Sequence, residues 1–107
     1  MEELRTEMQS ITNAALSLKR RVKEEYRVKG IKIDSRGMLN LLESITEDLS
    51  KEKISKKRLE SHAFGIFRII TDGWIFEKTE VGQDLMKFRL ELRKFASRLQ
   101  DINKPEN

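Results

Sequence analysis

His62 is the only histidine in this chain of 107 residues, and no cysteine is present. A histidine that acts as a general base needs an orienting carboxylate and a nucleophile or bound water. The nearest acidic residue along the sequence is Glu60, which falls on a different side of a helix. We therefore expect a hydrogen-bonded histidine at the edge of the core, without an acidic partner.

Other catalytic and metal chemistries have few candidate residues. The absence of cysteine excludes disulfides, thiolate zinc sites, iron–sulfur clusters and cysteine nucleophiles. A transition-metal site would have to rely on carboxylates, and the sequence contains no Glu-x-x-His motif. It also contains no phosphate-binding glycine loop, nucleophile elbow or EF-hand string. We predict a protein that is not an enzyme and that holds no cofactor or metal.

Two basic clusters are candidates for binding anions. They consist of Arg20, Lys23 and Arg27 in the first predicted helix, and of Lys56, Lys57 and Arg58 further along the chain. Such clusters bind phosphates or acidic proteins, or they form an ordinary solvated surface. The net charge of +4 is modest, and no aromatic residue is interleaved to stack on bases.

The charges are also segregated along the chain. Residues 16–32 contain seven basic and two acidic residues, whereas residues 33–50 contain one basic and four acidic residues. Exposed ion pairs contribute only about 0–1 kcal/mol each, so stability alone does not require this pattern. Opposed patches of this kind favour a protein partner over a nucleic acid.

A further set of candidate residues is apolar or aromatic. Met86 and Leu90 are predicted to project away from the core, beside Arg89 and Arg93. Clustered exposed apolar side chains mark partner or homodimer interfaces. Aromatic residues in a connector either cover the core or anchor a partner. The predicted partner-binding residues are Trp74, Phe76, Met86, Arg89, Leu90 and Arg93.

Four predicted helices position these side chains. The first is predicted over residues 2–29, with apolar residues every three or four positions and Gly30 at its end. The second is predicted over about 36–49, with Asp48 beside its outward face. The third follows Ser55, which can cap it, and runs to about Asp72 with Phe67 in its core stripe.

The last helix is predicted over residues 80–102, with Thr79 as its cap and a second heptad pattern of apolar residues. Four amphipathic helices joined by short loops predict a single all-α domain over 1–107, an antiparallel four-helix bundle with long first and last helices. The two long helices pair within the chain or, alternatively, form a coiled coil between chains. The longest apolar run, residues 63–70, is too short to span a membrane, and no secretory signal is visible, so we expect a cytoplasmic protein.

The size, basic balance and four predicted helices are similar to those of the small immunity proteins that protect bacteria from their own bacteriocins. This similarity lies in the architecture and includes no motif. The segment from Lys29 to Asp34 also resembles the all-helical chorismate mutases, which would imply basic residues and a Glu or Gln around a dicarboxylate. The sequence lacks the acidic residue that those enzymes have after Arg36.

Taken together, the sequence predicts a small non-enzymatic helical protein that acts by protein–protein binding. An adaptor, a regulator, an immunity protein and an antitoxin all fit this description. The alternative is a basic helical protein associated with nucleic acid.

Overall fold

The computed structural model describes residues 2–30, 37–51 and 53–102, and side chains within these ranges from Leu4 to Leu99. Its elements are helices α1 (Glu2–Lys29), α2 (Met38–Leu49), α3 (Lys56–Thr71) and α4 (Glu80–Ile102), and no strand occurs in these ranges. The predicted all-α bundle with long first and last helices is confirmed. The predicted first residue of the second helix, Arg36, lies outside the described residues.

The helix ends follow local chemistry. Gly30 has a φ of +67°, a left-handed conformation that glycine adopts without a side-chain clash. The Ser55 hydroxyl accepts a hydrogen bond from the Arg58 N–H and so satisfies one of the free donors at the start of α3. The Thr79 hydroxyl accepts from the Gly82 N–H at 3.3 Å and donates to the Phe76 carbonyl at 2.6 Å. Both predicted capping residues are therefore confirmed.

The core is built from one apolar stripe on each helix. Its largest fully buried members are Val22 from α1, Met38, Leu42 and Ile45 from α2, Leu59 and Ile66 from α3, Leu85, Leu92 and Phe95 from α4, and Phe76 from the connector. Phe67, predicted to belong to the α3 stripe, is instead half-buried. It follows Ile66 directly and is therefore rotated by about 100° from the centre of the stripe.

Each helix packs against the next one along the chain, and α1 also packs against α4. Among the described residues, the Cα atoms of the diagonal pairs α1–α3 and α2–α4 do not come within 8 Å of each other. Glu7 forms an ion pair with Arg98, and Arg21 forms one with Asp84. Because these pairs join the start of one helix to the end of the other, α1 and α4 are antiparallel and pair within the chain.

The bundle is elongated. Its principal extents are 51 × 24 × 21 Å, and α1, with 28 residues, accounts for about 42 Å of that length. Within the described residues, none of the helices combines the length and the apolar character needed to cross a bilayer.

Candidate functional site

A groove between α3 and α4 brings several candidate residues together. It is lined by Arg89 and Arg93 from α4 and by Glu60, Phe64 and Phe67 from α3. Residues three or four positions apart lie on one side of a helix. The two α4 residues therefore line one rim of the groove, and the three α3 residues line the other. The groove volume is about 500 Å³, within the range of about 300–1,000 Å³ that is usual for ligand sites. The predicted arginines of α4 thus lie beside aromatic side chains that the sequence analysis did not include in the site.

Arg89, one of the residues that line this groove, is held in place. Its guanidinium carbon lies 4.7 Å from the centroid of the Phe67 ring, a cation–π contact. Its Nε is buried and has no hydrogen-bond partner among the described residues. Neither Arg89 nor Arg93 forms an ion pair with a described residue, whereas Glu60 is already paired with Lys56 at 2.9 Å. The two arginine charges are therefore left uncompensated in the described part of the chain.

Two large apolar side chains are exposed near these arginines. Phe64, on the α3 rim, is 59% exposed, and Leu90, on the outer side of α4, is 47% exposed. Met86, predicted to project away from the core, is instead partly buried and packs against its edge. We call Phe64, Phe67, Arg89, Leu90 and Arg93 the α3–α4 face.

The connector aromatic residues close one end of the core. Phe76 is only 1% exposed, and its ring makes edge-to-face contacts with Tyr26 at 5.1 Å and with Trp74 at 5.3 Å between centroids. This burial removes Phe76 from the predicted partner-binding set and makes it a cover of the core. Trp74 is half-buried, and its Nε1 has no hydrogen-bond partner among the described residues.

Only part of each basic cluster is free of ion pairs with the described residues. Arg27 pairs with Glu24, Lys56 with Glu60, and Arg58 with Asp48. The other three predicted anion-binding residues, Arg20, Lys23 and Lys57, are exposed and form no ion pair within the described ranges. Each cluster therefore retains one or two cations for an anionic partner.

Asp48 is the centre of a cluster that the sequence analysis missed. It is 3% exposed and is the only buried charged residue among the described ones. Arg58 Nε donates to its Oδ2 at 2.8 Å, His62 Nε2 lies 2.6 Å from the same oxygen, and Lys51 Nζ lies 3.1 Å from Oδ1. The predicted outward position of Asp48 is therefore wrong, as is the prediction that His62 has no acidic partner.

The sequence did contain a signal for this position. Asp48 follows Ile45 by three residues and Leu41 by seven, the spacing of the apolar stripe of α2. The other prediction for His62 is confirmed, because it is a hydrogen-bonded histidine with a side chain 12% exposed.

An aspartate behind a histidine can orient a general base, but this aspartate also forms ion pairs with Arg58 and Lys51. Burial raises the pKa of Asp48, but hydrogen bonds from Arg58, His62 and Lys51 outweigh burial and hold this pKa well below its ordinary value. An ionised carboxylate only accepts hydrogen bonds, so the Nε2 of His62 carries the shared proton. The cluster thus connects the end of α2 to the start of α3.

No group of three or more His, Asp or Glu side chains in the described ranges is placed to hold a metal ion. Comparison with models of protein families, with curated proteins and with solved structures found no match to this chain.

Proposed function

We propose that the protein acts by binding another protein through the α3–α4 face, as an adaptor, regulator, immunity protein or antitoxin would. The observation that supports this is the exposure of Phe64 and Leu90 next to Arg89 and Arg93, which have no ion-pair partner among the described residues. Aromatic residues and arginine are enriched at interface centres. Covering the Phe64 ring alone would contribute about 1–2 kcal/mol.

A non-enzymatic role in the cytoplasm is part of this proposal. The Asp48–His62 pair serves a connecting role, because the same carboxylate also binds Arg58 and Lys51. A sequence without cysteine suits a reducing compartment.

The test compares Leu90→Glu with Leu16→Glu. Both leucines are 47% exposed, but Leu16 lies on α1, the helix diagonally across the bundle from α3. The two variants are therefore matched in chemistry and exposure and differ in location. Circular dichroism of each variant verifies that the bundle is intact.

A partner would first be captured by cross-linking in the cells that make the protein, and its Kd would then be measured with purified components. We expect Leu90→Glu to weaken binding at least about tenfold, the effect of losing one buried apolar contact of about 1.4 kcal/mol. Leu16→Glu should bind like the unmodified protein. Capture of no protein, or equal affinities for both variants, would contradict the proposal.

A second candidate is nucleic-acid association through α1. It is supported by the exposed Arg20 and Lys23, which have no ion-pair partner among the described residues. Phosphate contacts make affinity fall steeply with salt. A mobility shift with duplex DNA or RNA at low salt, abolished by Arg20→Glu with Lys23→Glu, is expected for this function. No shift at low salt would eliminate it.

A further inference from the structure

Building on the proposed function, we infer that the partner segment bound on the α3–α4 face is an acidic amphipathic helix. Two of its carboxylates, one turn apart, pair with Arg89 and Arg93, and an apolar side chain between them contacts Phe64. The charge, rigidity and spacing of the face each support this occupant.

The charge of the face is positive. Arg89 and Arg93 have no ion-pair partner in the described ranges, and the acidic residue that lines the groove, Glu60, is held by Lys56. A third arginine, Arg68, lies 6.0 Å from the centroid of the exposed Phe64 ring. Complementary charge selects partners and speeds their association, so this surface selects carboxylates.

The position of Arg89 is set before any partner binds. Its guanidinium rests against the Phe67 ring, and its Nε is enclosed by protein. An arginine restrained in this way loses less side-chain freedom on binding. The fork of its terminal nitrogens matches the two oxygens of a carboxylate.

The spacing of the two arginines fits a helix. Arg89 and Arg93 are four residues apart on α4, which places them about 6 Å apart along the axis. Acidic residues at positions i and i+4 of a partner helix have the same separation. A groove between two packed helices is also the kind of surface in which an amphipathic helix lies.

A second copy of this chain fits the face poorly. In a two-fold dimer the same patch lies on both sides of the interface, so two positively charged surfaces would meet. Juxtaposed like charges disfavour such an interface. The same charges that disfavour self-association attract an acidic helix.

The probes are three labelled helical peptides of about 16 residues, a length at which isolated helices begin to be stable. The first carries two glutamates four residues apart with a leucine between them, the second has glutamine for both glutamates, and the third has alanine for the leucine. Fluorescence anisotropy should show binding of the first peptide, and at least about tenfold weaker binding of each of the others. Affinity for the first peptide should fall as salt increases.

Variants of the protein locate the contact. Arg89→Gln with Arg93→Gln should weaken binding of the acidic peptide at least about tenfold. Lys87→Gln with Lys94→Gln removes the same charge from exposed positions of the same helix. This pair should change the affinity for the acidic peptide less than about twofold. Equal effects of both pairs, equal binding of the glutamine peptide, or no binding of the acidic peptide would overturn the inference.

Two further outcomes separate the inference from the proposed function. If the captured partner is sensitive to Leu90→Glu but binds through a neutral or basic segment, the inference fails and the proposed function stands. If the acidic peptide binds and no partner protein depends on this face, the proposed function fails. A dimer seen by sedimentation and dissociated by Leu90→Glu would mean that a second copy occupies the face, which also overturns the inference.

Discussion

Asp48 shows how one buried charge can connect two helices. Its carboxylate is almost fully enclosed, and a charge removed from water is stable only if it is well paired. Its cationic partners Arg58 and Lys51 are more than half exposed and keep most of their own hydration, whereas His62 is nearly buried. Loss of this carboxylate should therefore cost more than loss of an ordinary surface ion pair.

We predict that Asp48→Asn lowers the free energy of unfolding by about 1–3 kcal/mol at neutral pH, the usual value for a hydrogen bond to a charged group. The folded-state pKa of Asp48 lies below its ordinary value of 3.8, so its contribution is present above that pH and is lost as the pH falls toward the folded-state pKa. The difference in stability between the two proteins should thus narrow below about pH 4. Urea unfolding at neutral and acidic pH measures this.

The control for that experiment is Asp84→Asn. Asp84 also pairs with an arginine, Arg21 at 2.8 Å, but its side chain is 35% exposed. An exposed pair contributes about 0–1 kcal/mol, so this variant should lose less stability. Equal losses for the two variants would contradict the role assigned to the buried carboxylate.

At the scale of the helices, the glycines inside α3 and α4 differ in whether their positions could accept a side chain. A Cβ on Gly82 would overlap the Phe76 carbonyl oxygen and would lie 2.7 Å from the Glu77 carbonyl oxygen, both of them backbone atoms. A Cβ on Gly65 would meet the Leu41 side chain, whose Cδ2 would be nearest at 3.1 Å and which is flexible at that end. The start of α4 therefore requires glycine, and the middle of α3 does not.

We predict that the same substitution has different effects at these positions. Gly82→Ala should destabilise the protein by about 1–3 kcal/mol, since the connector backbone must move. Gly65→Ala should stabilise the helical conformation of α3 by about 0.5–1 kcal/mol, which offsets the cost of a small shift of the Leu41 side chain. Thermal unfolding should show a clearly lower midpoint for the first variant and a midpoint near or above that of the unmodified protein for the second. Equal midpoints would contradict this account of α4.

The helices show what the sequence could and could not predict. The bounds of α1 and α4 and the caps Ser55 and Thr79 follow from local spacing and local hydrogen bonds, and all were predictable. Which flank of a helix faces its neighbour depends on how the helices are rotated against each other. The rotation of α3 against α4 places Phe67 on the groove. The apolar pattern of a single helix does not contain this information.

The same limit applied to the candidate site. Arg89, Leu90 and Arg93 were identified because they lie together on one side of a single helix. Phe64 joined them only through the packing of α3 on α4. Asp48 was missed because a carboxylate is expected to face solvent. Its burial depends on hydrogen bonds from Arg58 and His62, which lie on the next helix.

At the scale of the whole molecule, the four helices form one continuous core, and the connector before α4 is part of it. Phe76 links this connector to α1 through its contact with Tyr26 and lies against Trp74, the only tryptophan. The fluorescence of Trp74 therefore depends on the region where the connector between α3 and α4 closes one end of the bundle. A single core with such a closure should unfold as one unit.

We predict that Trp74 fluorescence and helical circular dichroism give the same urea midpoint, because the connector cannot separate from α1 without exposing Phe76. Phe76→Leu removes both ring–ring contacts while keeping an apolar side chain, and it should lower the midpoint of both signals together. A fluorescence change that precedes the loss of helix would show that the connector opens independently.

The elongated shape of the bundle has a consequence for small-angle scattering. A helix of about 16 residues is about 24 Å long, less than half of the 51 Å axis, and in the α3–α4 groove it would lie beside the bundle. The complex would then keep nearly the same maximum dimension and gain cross-section. A partner docked at either end would instead lengthen the particle, so a scattering profile of the complex distinguishes lateral from end-on binding.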